Sequence, residues 1–97
     1  MKKTSKQEAV ILKEIFKNIS NVYIFGSRVQ GSHGKFSDLD ICLKDTISAS
    51  EYVLLEEKLE NSDLPFSVDI IEYDKINDSF KKIIDQEGIP LDQFLIS

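Results

Sequence analysis

Val22-Tyr23-Ile24-Phe25-Gly26-Ser27 and, after a polar interval, Ser37-Asp38-Leu39-Asp40-Ile41-Cys42-Leu43 are the stretches whose reading decides the fold. The first is a short β-branched and aromatic run that stops at a glycine, as a buried strand does. The second alternates: Leu39, Ile41 and Leu43 face one way, and Asp38, Asp40 and Cys42 the other. The interval 26–37 carries Gly26, Ser27, Gly31, Ser32, Gly34 and Ser37 and reads as a loop, with Ser27 able to cap a short helical turn. Two strands joined at such close spacing favour an antiparallel pair inside a mixed sheet.

Outward from this pair the pattern becomes helical. Leu12, Ile15, Phe16 and Ile19 recur at i, i+3, i+4 and i+7, so roughly residues 5–19 form an amphipathic helix, which Asn21 ends. Ser48 or Ser50 caps a helix over about 49–61 with Tyr52, Leu55 and Leu59 on one face. Phe66 to Glu72 reads as a third strand, setting Phe66, Val68 and Ile70 opposite Ser67, Asp69 and Ile71. A last helix runs from about Asp78 to Gln86 with Phe80, Ile83 and Ile84 inward; Gly88 stops it and Pro90 prevents its resumption. The order α-β-(α)-β-α-β-α predicts a small α/β (α+β) domain, a mixed β-sheet covered by helices on one face. The tail Leu91, Phe94, Leu95 and Ile96 is apolar for a terminus and is expected to mark an interface with another protein, the alternative being that it packs back on the first helix.

The 97 residues predict a single domain, 1–97. Apolar residues make up 41 % and charged residues 30 %, the balance of a soluble globular chain. The net charge of −5 argues against a surface that tracks nucleic-acid phosphates. The one cysteine, Cys42, has no internal partner, which fits a reducing, cytoplasmic setting. Lys13, Glu14 and Lys17 interrupt the apolar run after the N-terminal lysines, so no signal-peptide core follows. No segment approaches the roughly 20 apolar residues of a membrane span.

The chemistry lies in the acids. Asp38 and Asp40, two apart on a strand, share a face with backbones roughly 6–7 Å apart. Carboxylates that close repel unless a proton or cation intervenes. Mg²⁺, which takes oxygen ligands and is held by one or two carboxylates with substrate phosphates, answers that need. Alone, such a pair reads equally as a turn residue followed by an exposed strand position. Gly26-Ser27 at the end of a strand offers backbone access, free N–H groups and a hydroxyl to a phosphate; alone it is also a simple turn. Asp69, a charge inside an apolar strand, is either solvent-facing or paired. All three in this order point to one site.

Phe25-Gly26-Ser27-Arg28-Val29-Gln30-Gly31 followed by Ser37-Asp38-Leu39-Asp40-Ile41 resembles the signature of DNA polymerase beta-like nucleotidyltransferases, a Gly-Ser dipeptide, a further glycine and then S-D-x-D-[LI]. Val68-Asp69-Ile70-Ile71 resembles the strand bearing their third carboxylate. The resemblance spans nearly the whole chain. Its length, and the stretch Ser62-Asp63-Leu64-Pro65-Phe66, are similar to minimal nucleotidyltransferase (MNT) proteins of HEPN–MNT pairs, whose partner is a separate helical HEPN protein. Val29 and Gln30 depart from the pattern, where Ala and a basic residue are commoner.

The resemblance implies a polymerase-beta-like core and transfer of AMP from ATP, with two Mg²⁺ held by Asp38, Asp40 and Asp69. Asp69 would serve the acceptor side and help deprotonate the acceptor. Gly26 and Ser27 would hold the triphosphate, with Arg28 and Lys35 as its neighbours or as solvated surface charges. His33 reads as a loop residue without a ligand role, and Cys42 as a small filler beside the site. The acceptor is expected to be a hydroxyl of a HEPN-type partner, giving a hetero-oligomer. An antitoxin acting by binding alone, and an adenylyltransferase for a small molecule, are the rival readings.

Overall fold

A computed structural model describes residues 6–30 and 38–96. Its elements are α1 (Lys6–Phe16), β1 (Val22–Phe25), α2 (Ser27–Gln30), β2 (Leu39–Leu43), α3 (Ala49–Glu60), β3 (Val68–Glu72), a 3₁₀ turn (Tyr73–Lys75), α4 (Asp78–Glu87), β4 (Ile89–Pro90) and α5 (Leu91–Ile96). The sheet runs β3-β2-β1-β4. β1 is antiparallel to both β2 and β4, and β2 is parallel to β3. The sheet is therefore mixed, as the spacing of the first two strands predicts.

One face of the sheet builds the main core. Val22, Ile24, Leu39, Ile41 and Leu43 are buried there with Leu12 and Phe16 of α1, Leu55 of α3, and Leu91 and Phe94 of α5. α3 starts in a capping box: Ser48 Oγ accepts the Glu51 N–H at 3.1 Å, and Glu51 Oε1 accepts the Ser48 N–H at 3.2 Å. This settles Ser48, rather than Ser50, as the cap. Tyr52 reaches down from α3 and donates its hydroxyl hydrogen to the Ile70 carbonyl at 3.1 Å. α1 ends three residues earlier than its apolar stripe, because the Ile19 N–H turns back to the Phe16 carbonyl at 3.0 Å. Ile19 still packs against the core. Asn21 then takes a left-handed conformation, φ 56°, that asparagine tolerates better than most residues.

The opposite face is not bare, contrary to the expectation of one-sided cover. α4 lies over part of it. Asn77 Oδ1 caps this helix by accepting the Phe80 N–H at 2.8 Å. Ile84 is buried, and the Phe80 ring meets Phe25 edge-on at 5.6 Å. Ile83, expected inward, is 46 % exposed. Lys44, at the end of β2, pairs with Asp85 of α4 at 2.9 Å, and the Tyr73 hydroxyl donates to the same carboxylate at 2.9 Å. These partly exposed contacts add little energy but set where the helix lies.

The C-terminal stretch differs most from its sequence reading. Pro90 does not prevent a further helix: Ile89 and Pro90 pair with Ile24 and Tyr23 as a two-residue edge strand, and α5 begins at the next residue. Proline is tolerated on an edge strand and just before a helix, where its missing N–H has no partner to lose. Gly88 ends α4 in an extended conformation, φ −66° and ψ 139°, rather than a left-handed one. Its glycine is required by space, since a Cβ there would lie 2.5 Å from the Ile84 carbonyl oxygen. Leu91 and Phe94 are 5 % and 1 % exposed, so these apolar residues fill the protein's own core and do not form an interface. The Phe94→Ala variant should lose about 3 kcal/mol or more of folding free energy, as large-to-small changes in a closed core do. Urea unfolding measures it, and a loss below about 1 kcal/mol would place Phe94 outside the core.

Candidate active site

β1 delivers the chain into Gly26, whose φ of +82° is open to glycine at low cost. The Val29 N–H closes back onto the Gly26 carbonyl at 3.1 Å, and α2 starts at Ser27. The glycine also lets the acid of the next strand come close. A Cβ at position 26 would stand 2.5 Å from Oδ2 of Asp40, so the carboxylate lies directly against the Gly26 backbone.

The register explains why. Asp40 is the cross-strand neighbour of Phe25 on β1 and of Asp69 on β3, and all three share the face opposite the main core. Neighbouring strands are about 4.8 Å apart, so two carboxylates are held side by side by main-chain pairing rather than by any attraction between them. Asp38 is exposed and sits just before β2. It is not part of the strand as its alternation predicts, and its charge acts on Asp40. The strand carrying Asp69 also starts later than expected, at Val68, with Phe66 buried ahead of it.

Electrostatics follow from this placement. Burial raises the Asp40 pKa above the ordinary carboxylate range, and the charges of Asp69 and Asp38 raise it further. Among the described residues, no three His, Cys, Asp or Glu side chains gather closely enough to hold a metal ion by themselves. The donor set is nonetheless hard, anionic oxygen in mutual repulsion, which fits Mg²⁺ completed by water and phosphate oxygens. Cys42, next along the same face, is fully buried, and burial pushes its thiol up to about 11. It is a filler beneath the site, as its place in the strand predicts, and not a nucleophile at neutral pH.

Asp40 and Asp69 open into a cleft of ≈ 830 Å³ whose walls include Phe25, Phe80, Leu64 and Phe66. β3 is the edge of the sheet, so the cleft is open on the Asp69 side. The aromatic walls were not legible from spacing: Phe80 looks like an ordinary core position of an amphipathic helix, and only α4's placement turns it to the site. Arg28, read as a phosphate neighbour or a solvated charge, is neither at the surface nor solvated. It is 4 % exposed, with its guanidinium over the Phe66 ring at 4.1 Å. His33 and Lys35 lie outside the described residues.

Comparison with known proteins agrees with this arrangement. Residues 7–92 match the family model described as polymerase beta, nucleotidyltransferase. The chain belongs to this family. Over 83 residues the nucleotidyltransferase is 32 % identical to a Haemophilus influenzae protein named "Probable protein adenylyltransferase MntA", covering 80 % of this chain and 73 % of that one. Its fold is similar to that of a toxin–antitoxin solved with AMP-PNP, with a TM-score of 0.66 and 22 % identity over 91 % of this chain and 81 % of that one. A toxin–antitoxin MntA–HepT structure superposes with a TM-score of 0.59 and 20 % identity, over 95 % of this chain and 81 % of the other.

The perturbed carboxylate makes a stability prediction for the metal-free nucleotidyltransferase. With the folded-state pKa raised, ionising Asp40 costs folding free energy. That cost is absent below about pH 4, the unfolded carboxylate value, and is fully felt once the pH has risen through the folded value. Asp40→Asn should therefore raise the thermal midpoint at pH 7, with the gain shrinking as the pH falls towards about 4. A lower midpoint at pH 7 would mark Asp40 as a structural residue instead.

Proposed function

We propose that this nucleotidyltransferase transfers AMP from ATP to a hydroxyl of a partner protein, as the antitoxin half of a HEPN–MNT pair in the cytoplasm. The observation that carries the reading is Asp40 pressed against the Gly26 backbone and set beside Asp69 at the open edge of the sheet. Gly26 and Ser27 hold the triphosphate through backbone N–H groups and the serine hydroxyl. Arg28 sits behind them. Asp38, Asp40 and Asp69 are the residues that would hold Mg²⁺, with the nucleotide's own oxygens completing its coordination. When bound, Mg²⁺ supplies neutralisation of charge at the α-phosphate and the departing pyrophosphate.

In the transfer, the acceptor oxygen attacks the α-phosphorus in line. An oxygen–phosphorus bond forms to the acceptor as the bond to the bridging oxygen of the β-phosphate breaks, and pyrophosphate leaves. Asp69, on the edge strand, would take the acceptor's proton. The open side of the cleft suits an acceptor presented by another macromolecule. The net charge of −5 disfavours nucleic acid in that role. A protein acceptor and a HEPN-type partner are supported by the name of the Haemophilus influenzae relative and by the toxin–antitoxin assemblies that share the fold.

Co-incubation with a HEPN-type partner, ATP and Mg²⁺ should add the mass of one AMP to that partner, read by intact mass spectrometry. The addition should vanish with EDTA and with Asp69→Asn. A tight complex with no change of mass would instead make binding alone the antitoxin mechanism, and addition of AMP in EDTA would remove the metal from the account.

A further inference from the structure

We propose that Arg28 is a positioning residue for the acid cluster, clamping the phosphate-holding turn to the segment that feeds β3; this rests on the nucleotidyltransferase reading above. Among the described residues, Arg28 is the one buried charged side chain, at 4 % exposed. An arginine does not shed its proton in a protein, so the chain carries a permanent cation in its interior. Removing a charge from water is costly unless specific partners compensate it.

The partners here belong to separate elements. The guanidinium lies 4.1 Å from the centroid of Phe66, itself buried at the entry to β3 and part of the wall of the cleft that holds Asp69. The carboxylates of Glu8 on α1 and of Asp38, just before β2, supply its opposing charge, against the burial that lowers its pKa. Arg28 is also the residue after Ser27 in α2. One planar cation thus touches or faces the anchors of all three parts of the site: the Gly26-Ser27 turn, the approach to Asp69, and Asp38.

At 4 % exposure the guanidinium has little surface left for a nucleotide. Its shape matters more than its charge. A planar guanidinium stacks on an aromatic face and keeps its fork of donors, whereas a lysine ammonium is a hydrated point charge that does neither well. Arg28→Lys therefore keeps the cation and loses the clamp, and Phe66→Leu keeps the arginine and loses its platform.

Both variants are compared with wild type by thermal unfolding, by calorimetry of ATP binding across a Mg²⁺ titration, and by steady-state AMP transfer to the partner. The expected result for Arg28→Lys is a folded protein whose Mg²⁺ half-saturation rises several-fold and whose kcat falls about tenfold or more, with the KM for ATP changed by less than about threefold. Phe66→Leu should show the same defects in weaker form. If Arg28→Lys fails to fold, Phe66→Leu carries the test by itself. Folded variants with Mg²⁺ half-saturation and kcat within about twofold of wild type would overturn the proposal. So would a defect confined to the KM for ATP in Arg28→Lys with Phe66→Leu unaffected, which would mean direct contact with the nucleotide. If wild type binds ATP with Mg²⁺ yet transfers nothing, the AMP-transfer reading fails, while the calorimetric arm still decides the role of Arg28.

Discussion

The close approach of the Gly26 backbone to the Asp40 carboxylate is the contact on which the rest of the site depends. It exists because β1 and β2 run antiparallel with Phe25 opposite Asp40, so the end of one strand meets the acid of the next. A methyl group at position 26 would stand 2.5 Å from the carboxylate oxygen, so any other residue there would have to turn the Asp40 side chain aside. The turn at Gly26 and the position of Asp40 are therefore one constraint seen from two strands. Where the chain leaves β1, Ser27 and α2 follow, so the Gly26-Ser27 turn is aligned with the acid by main-chain geometry.

That geometry forces like charges together. The parallel pairing of β2 and β3 puts Asp69 beside Asp40, and neither strand can slip by one residue without turning Leu39, Ile41 and Val68 out of the core. The hydrophobic face thus enforces the electrostatic cost on the other side of the same strands. Burial raises the Asp40 pKa, and the neighbouring charges of Asp69 and Asp38 raise it further.

The two faces of the sheet divide the work. α1, α3 and α5 close one face around Leu12, Leu55 and Phe94 and give the strands their rigidity. α4 covers the other face only in part, through Ile84 and the Phe25–Phe80 contact, with Lys44, Tyr73 and Asp85 placing it. What it leaves uncovered is the edge beyond Asp69. That edge, with its aromatic walls, is where the cleft meets solvent.

By itself the sequence determined the family and the local elements. The Gly26-Ser27 turn and the strand positions of Asp40 and Asp69 were readable because turn residues and strand alternation are local properties, set by φ/ψ preference and a two-residue period; Asp38, read into the same alternation, lies just before the strand. The mixed sheet followed from how little chain separates β1 from β2. Tertiary structure decided everything that depends on which surface an element meets. Arg28 has the composition of a surface residue, and only the packing of α2 against Phe66 makes it a buried cation. Phe80 and Ile83 are equivalent in helical periodicity, yet one faces the cleft and the other is exposed, because α4 lies on the face where no covering helix was foreseen. Leu91 and Phe94 form an apolar cluster in any reading. Whether it meets a partner or its own core turned on two residues, Ile89 and Pro90, pairing with β1. A two-residue strand has too little pattern to be seen in sequence, and its hydrogen bonds come from a strand more than sixty residues earlier.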